Sequence, residues 1–287
     1  MLRASCLCGD VTWQFDAPVE WMSHCHCSRC RKAHGAAFAT YVAGTAASFR
    51  LDGAERVKRF PSSPGSERPF CGRCGSVVPA ANANGQVFAP AGNFLDDPGV
   101  RPLAHIFVAS KAPWSEIRDA LPRFDAFPEG IDAAIVADRA PLDPPGRPRG
   151  SCLCGAVTFV VEGKPLMARH CHCGRCRRAR SAAYASNLLT RADGVRFTRG
   201  TDRFEEYKVP EARFFTHVFC RTCGSTVPRI DRGRDLAIIP LGSLDDDPGM
   251  RPMEHIFVDS KAPWLDLPDD GLPRHPAAPP WAIPPSP

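Results

Sequence analysis

Apolar positions fall in short runs rather than in long helical stripes. Val11-Thr12-Trp13-Gln14-Phe15 and Val157-Thr158-Phe159-Val160-Val161 combine β-branched and aromatic residues, the composition of strands. Arg56-Val57-Lys58-Arg59-Phe60 and Arg203-Phe204-Glu205-Glu206-Tyr207 are weaker strand candidates. Gly and Pro interrupt the chain roughly every 8–12 residues, and no helical periodicity extends beyond a few turns. One short helix is expected in each half, starting near Arg31 and near Arg177. The pattern predicts a mainly β protein of antiparallel strands.

The pattern also repeats. Ser5-Cys6-Leu7-Cys8-Gly9 returns as Ser151-Cys152-Leu153-Cys154-Gly155, and His24-Cys25-His26-Cys27-Ser28-Arg29-Cys30-Arg31 as His170-Cys171-His172-Cys173-Gly174-Arg175-Cys176-Arg177. His105-Ile106-Phe107-Val108 and Ser110-Lys111-Ala112-Pro113-Trp114 return as His255-Ile256-Phe257-Val258 and Ser260-Lys261-Ala262-Pro263-Trp264. From Cys6 to Cys152 the period is 146 residues, several times a solenoid unit of roughly 20–50. Two whole domains in tandem are therefore expected, at 1–128 and 149–268. A Pro-rich linker occupies 129–148, and a Pro-rich tail, 269–287, follows the second copy. Seven prolines between Pro273 and Pro287 forbid a helix there and predict an extended end; Trp281 could lie against a neighbouring surface. The copies are expected to meet about a pseudo-twofold axis through their sheets.

Composition narrows the class. The 287 residues are 44% hydrophobic and 23% charged, an ordinary globular balance. No run approaches the ~18 apolar residues of a membrane span, and a cysteine motif only six residues in leaves no room for a secretory signal. A cytoplasmic setting is expected, where 14 cysteines point to metal thiolates rather than disulfides.

Seven cysteines per copy divide into two groups. Cys6 and Cys8 with Cys71 and Cys74, and Cys152 and Cys154 with Cys220 and Cys223, each supply four thiolates, the donor set of a closed structural zinc site. The Gly after each Cys-x-x-Cys provides the left-handed backbone of a metal-binding turn. Cys25, Cys27 and Cys30, and Cys171, Cys173 and Cys176, supply only three. Three ligands leave a position open, as in catalytic zinc; the alternatives are a histidine (His24, His26, His34, His170 or His172) that closes it, or no metal at all. Two zinc ions per domain, four per chain, are expected.

Charge fits filled sites. Seven thiolates against two Zn²⁺ lower each copy by three charges, moving the formal +5 to about −1, so the basic balance is no argument for a nucleic-acid partner. Arg29, Arg31 and Lys32, and Arg175, Arg177, Arg178 and Arg180, crowd the three-cysteine clusters, where they would lower thiol pKa values and could hold an anionic substrate.

Taken together, Cys-x-Cys-Gly, Cys-His-Cys-x-x-Cys-Arg, Phe-Cys-x-x-Cys-Gly-Ser, an Asp-Pro-Gly turn and the His-Ile-Phe-Val…Trp ending resemble the glutathione-dependent formaldehyde-activating enzyme family, which includes centromere protein V. The resemblance spans each copy almost end to end. It implies a β-tent fold, structural zinc on the four-cysteine groups and catalytic zinc on the trios. It also implies a carbon–sulfur lyase-type activity on the adduct of glutathione, or a similar thiol, with formaldehyde or a similar aldehyde. A thiol carrier or a zinc-stabilised interaction module without turnover is the alternative; a long basic extension favouring it is absent. A Cys-x-x-Cys redox protein is a third reading.

The copies also differ. Copy one keeps Ala33-His34-Gly35 after its trio, where copy two has Ala179-Arg180-Ser181; copy two carries Asp245 where copy one has Leu95. On this basis copy one is expected to be the more competent site.

Overall fold

A computed structural model describes residues 1–131, 135–138 and 140–279. The chain is mainly β, in two halves that repeat one plan. In the first half, Leu2–Ser5, Thr12–Phe15 and Phe49–Asp52 form a three-stranded antiparallel sheet. Its middle strand alternates: Trp13 and Phe15 are buried, while Thr12 and Gln14 are half-exposed. A five-stranded sheet follows in the order Pro102–Ile106, Trp21–Cys25, Ala39–Thr45, Gln86–Pro90, Ala80–Ala81. Its pairings are antiparallel except that Pro102–Ile106 runs parallel to Trp21–Cys25. The weak candidate around 56–60 forms a hairpin, Val57–Ser63 with Ser66–Cys71.

The second half matches it: a three-stranded sheet (Arg149–Ser151, Thr158–Val161, Val195–Arg199), a hairpin (Phe204–Lys208 with Thr216–Cys220) and a larger sheet centred on Met167–Cys171 and Ala185–Thr190. Arg274–His275 adds an edge strand parallel to His255–Ile256, so the Pro-rich tail begins in a sheet; Trp281 lies outside the described residues. Among the described residues no helix is long and apolar enough to cross a membrane.

Both helices begin three residues earlier than expected, at Ser28–His34 and Gly174–Arg180, so the third cysteine of each trio lies inside its helix. The reason is capping: Cys27 Sγ accepts the Cys30 backbone N–H, as Cys173 Sγ accepts that of Cys176. Sulfur occupies the role that Ser, Asp or Asn usually signals. The helices end in left-handed residues, Gly35 in one half and Ser181 in the other. Ser181 lacks glycine's freedom, but its hydroxyl donates to the Val77 carbonyl of the opposite half at 3.0 Å, which helps hold it there.

The halves meet through these helices and through their hairpins, where His217 Nδ1 donates to the Cys74 carbonyl at 2.7 Å. Ser28–His34 packs on the 3₁₀ turn Leu241–Ser243, and Gly174–Arg180 on Ala91–Asn93. The C-terminal segments are exchanged. Trp114 packs among Phe159, Leu188, Ile239 and Leu241 of the second half, and Trp264 among Trp13, Phe15, Met22 and Phe94 of the first. Trp264 Nε1–H donates to the Ala91 carbonyl at 3.2 Å.

One buried ion pair breaks the symmetry. Lys32 Nζ lies 2.7 Å from Asp245 Oδ1, with side chains 6% and 7% exposed. Lys32 also donates to Ser151 Oγ at 2.8 Å, and Ser151 donates to Asp245 at 3.0 Å. At the related place Arg178 and Leu95 stand instead, and Leu95 is exposed. The Lys32→Met variant is expected to lose about 3–5 kcal/mol in urea unfolding, because Asp245 would stay buried without a cation. Adding Asp245→Leu should recover most of that loss; a double variant no more stable than the single one would refute the pairing.

Candidate metal centres

The four-cysteine groups assemble where strand ends meet. Cys6 and Cys8 lie on the turn after Leu2–Ser5; Cys71 ends the strand Ser66–Cys71, and Cys74 lies on the turn beyond it. All four sulfurs lie within 4.8 Å of one another, as do those of Cys152, Cys154, Cys220 and Cys223. Cys6–Cys8 and Cys8–Cys71 are separated by 3.4 and 3.7 Å, and Cys152–Cys154 and Cys154–Cys220 repeat those values. A tetrahedral zinc–thiolate site has sulfur–sulfur edges of roughly 3.8 Å, so the donor set and spacing fit that ion. Backbone N–H groups of Val11 and Val157 donate to Cys6 and Cys152 at 3.4 and 3.3 Å, as thiolate acceptors require. Gly75 and Gly224 are left-handed here, and each leaves room for an aromatic ring from the other half: a Cβ would lie 2.4 Å from Phe219 and 2.5 Å from Phe70.

Each trio joins a strand end to a helix start, and its three sulfurs also lie within 4.8 Å of one another. Among the described residues no histidine or carboxylate joins either group. The candidate histidines are engaged elsewhere. His24 and His170 bond Thr40 and Ser186 at 2.8 and 2.9 Å; His34 bonds the Arg180 carbonyl and Tyr41, both at 2.8 Å. His26 and His172 bond His105 and His255, each at 2.8 Å.

Those two histidines open a feature that no motif signals. Asp119 lies 3.0 Å from His105 Nε2, and Asp270 lies 2.8 Å from His255 Nε2. Because each carboxylate can only accept, the Nδ1 of His105 and His255 accepts from His26 and His172. Two Asp–His–His chains thus run from a central cavity of about 480 Å³ to the strands that carry the trios. Burial holds His26 and His172 neutral, with pKa values lowered to about 3. The repeated His105 and His255 were visible in sequence, but their carboxylate partners lie in unpatterned segments.

The surroundings of the trios differ by an exchange. In the first half Arg68 donates to Cys30 Sγ at 3.4 Å and to the Tyr41 hydroxyl at 3.3 Å. His34, at the helix end, accepts from Tyr41. In the second half the helix end carries Arg180, and the strand position of Arg68 carries His217. At these two positions each trio has one arginine and one histidine, with helix and strand exchanging the two. The loss of His34's counterpart is thus offset by a residue on the hairpin strand, far from the helix in sequence. Hydrogen bonds from Cys25 and Cys27 hold Cys30 well below the ordinary thiol range, with Arg68 assisting; those from Cys171 and Cys176 do the same for Cys173, with Arg175 assisting.

The other cations flagged near the trios have diverse partners. Lys32 belongs to the buried pair, Arg29 donates to backbone carbonyls of Ser62, Val136 and Ala137, and Arg178 donates to Ser5 Oγ at 3.4 Å.

Fold and cysteine geometry define a duplicated β protein with four cysteine groups able to hold metal. The description "Glutathione-dependent formaldehyde-activating enzyme" matches residues 1–110 and 147–260. The chain belongs to that family. A crystal structure of a Rhodobacter sphaeroides protein is 29% identical over 36% of this chain and 97% of that one, with a TM-score of 0.28. A search of the curated proteins finds no match.

Proposed function

We propose that the protein binds four zinc ions and joins a small thiol, glutathione or similar, to formaldehyde or a similar aldehyde, in a cytoplasmic setting. Units at 1–128 and 149–268 would each carry one closed and one open site. Cys6, Cys8, Cys71 and Cys74, with Cys152, Cys154, Cys220 and Cys223, would hold structural zinc. Cys25, Cys27 and Cys30, with Cys171, Cys173 and Cys176, would hold zinc with one position free. The observation that carries the reading is the absence of a fourth protein donor beside each trio among the described residues.

Zinc in an open thiolate site stabilises the anion of a bound thiol near neutral pH. The chain's own contribution is to orient and balance charge. Arg68 and Arg180 place a guanidinium beside the thiolates, and the Asp–His–His chains fix the strands that carry Cys25 and Cys171. In the reaction the thiol sulfur bonds to the aldehyde carbon, and the thiol proton ends on the former carbonyl oxygen, giving a hemithioacetal. No atom is left over and no oxidant is needed.

The test is zinc content by mass spectrometry together with hemithioacetal formation followed by NMR under exchange conditions. Four zinc per chain and an exchange rate at least ten-fold above background are expected, with the double variant Cys27→Ser, Cys173→Ser falling to background at two zinc per chain. Thiol binding without any rate enhancement would establish the carrier reading instead.

A further inference from the structure

Accepting the open-site reading, we infer that the two trios are unequal, and that the second is the one that receives a thiol bearing a carboxylate. Sequence comparison pointed to the first.

A cavity of about 260 Å³ reaches Cys171 and Cys176. Four arginines line it, Arg169, Arg180, Arg229 and Arg234, and no carboxylate does. Two nearby acids offset part of that charge. Asp231 is shared by Arg229 and Arg234 at 2.6 and 2.8 Å, and Glu254 lies 3.3 Å from Arg169. Arg180 has no acidic partner among the described residues. It is 8% exposed, its Nη2 donates to the neutral Asn187 at 3.1 Å, and the anions acting on it are the thiols of Cys176 and Cys171. Apart from the trio's own sulfurs this buried cation has no counter-ion, and a carboxylate in the cavity would supply one. Apolar wall residues such as Leu189, Phe215 and Ile238 suit a short alkyl stem between thiol and carboxylate.

The first trio lacks this arrangement. By strand register Ser23, Tyr41 and Ala80 stand where Arg169, Asn187 and Arg229 do. Arg68 there is already bonded to Cys30 and Tyr41. The segment 135–138 is fastened over the start of its helix: Ser28 donates to Asp138, and Arg29 donates to the Val136 and Ala137 carbonyls at 3.1 and 2.8 Å.

The experiment uses the full chain with cobalt(II) in place of zinc, titrated with 3-mercaptopropionate and with 2-mercaptoethanol while the cobalt–thiolate absorption is followed. The carboxylate thiol should bind at least ten-fold more tightly, about 1.4 kcal/mol. That difference should vanish in Cys171→Ser and survive in Cys25→Ser. Arg180→Gln should reduce the preference below three-fold. Because Arg180 is buried, Arg229→Ala with Arg234→Ala provides a second variant at half-buried positions, with the same expected direction. A preference lost in Cys25→Ser, or kept in both arginine variants, overturns the inference. Equal response to both thiols overturns it and leaves the open-site reading intact; a spectrum that responds to neither removes both.

Discussion

Stripping metal at neutral pH with excess chelator should unfold the protein rather than merely inactivate it. The four-cysteine groups tie the first strand of each half to the end of its hairpin, across more than 60 residues of chain. Cys6, Cys71 and Cys74 are 0% exposed, and they sit within the main apolar cluster beside Trp13, Phe15 and Val78. Cys152 and Cys220 are placed alike in the second half. Without the ion, four thiols must crowd at about van der Waals distance in a mostly buried site, either protonated with few acceptors or charged and mutually repelling. Binding of structural zinc is worth roughly 10–16 kcal/mol in small domains, comparable with the whole net stability of an ordinary one. Near-UV circular dichroism should therefore collapse on chelation and return on adding zinc. Cys71→Ser or Cys220→Ser should yield insoluble or unfolded chain, while Cys27→Ser remains folded with a lowered zinc count. A chelated protein that keeps its near-UV signal and melts cooperatively would show that these groups are ordinary buried cysteines.

The contrast between those variants reflects what the sequence could convey. Cysteine spacing is a local record of metal chemistry, and because the chain carries it twice, both groups were legible from residue numbers alone. Strands at Thr12–Phe15 and Thr158–Val161 were legible because β-branched and aromatic residues crowd them; burial alternates along the first and is continuous along the second. The helix starts were misplaced because sulfur caps them, an acceptor that the usual signals omit. The contact between halves was least legible. Leu95 and Asp245 were seen to differ, but nothing in a linear pattern links Asp245 to Lys32. Arg68 lies in an unremarkable strand, and its meaning emerges only beside His34, Arg180 and His217. Inter-half packing depends on which surfaces face each other, which one-dimensional periodicity does not encode.

That packing leads to the second large effect: neither half should persist alone as a folded monomer. Trp114 and Trp264 are each 2% exposed or less, and each fills the other half's core. Removing one buried Trp costs about 3–5 kcal/mol, and separation removes one from each core while exposing the other. The glycines mark how close the contact is. A Cβ on Gly242 would lie 2.3 Å from the Ala36 backbone, and one on Gly92 would lie 2.2 Å from the Ala182 carbonyl oxygen. Neither neighbour can yield as a flexible side chain would. A fragment of residues 1–128 should therefore be unfolded or aggregated, and one of residues 140–279 should restore its cooperative melt on mixing. Self-pairing separates the two fragments further. In a dimer of the first, Lys32 would meet Leu95 in place of Asp245 and lie buried without an anion; in a dimer of the second, Arg178 would meet Asp245. Light scattering should find the second fragment dimeric and the first not. A cooperatively melting monomer of residues 1–128 would show instead that the exchanged tryptophans are dispensable.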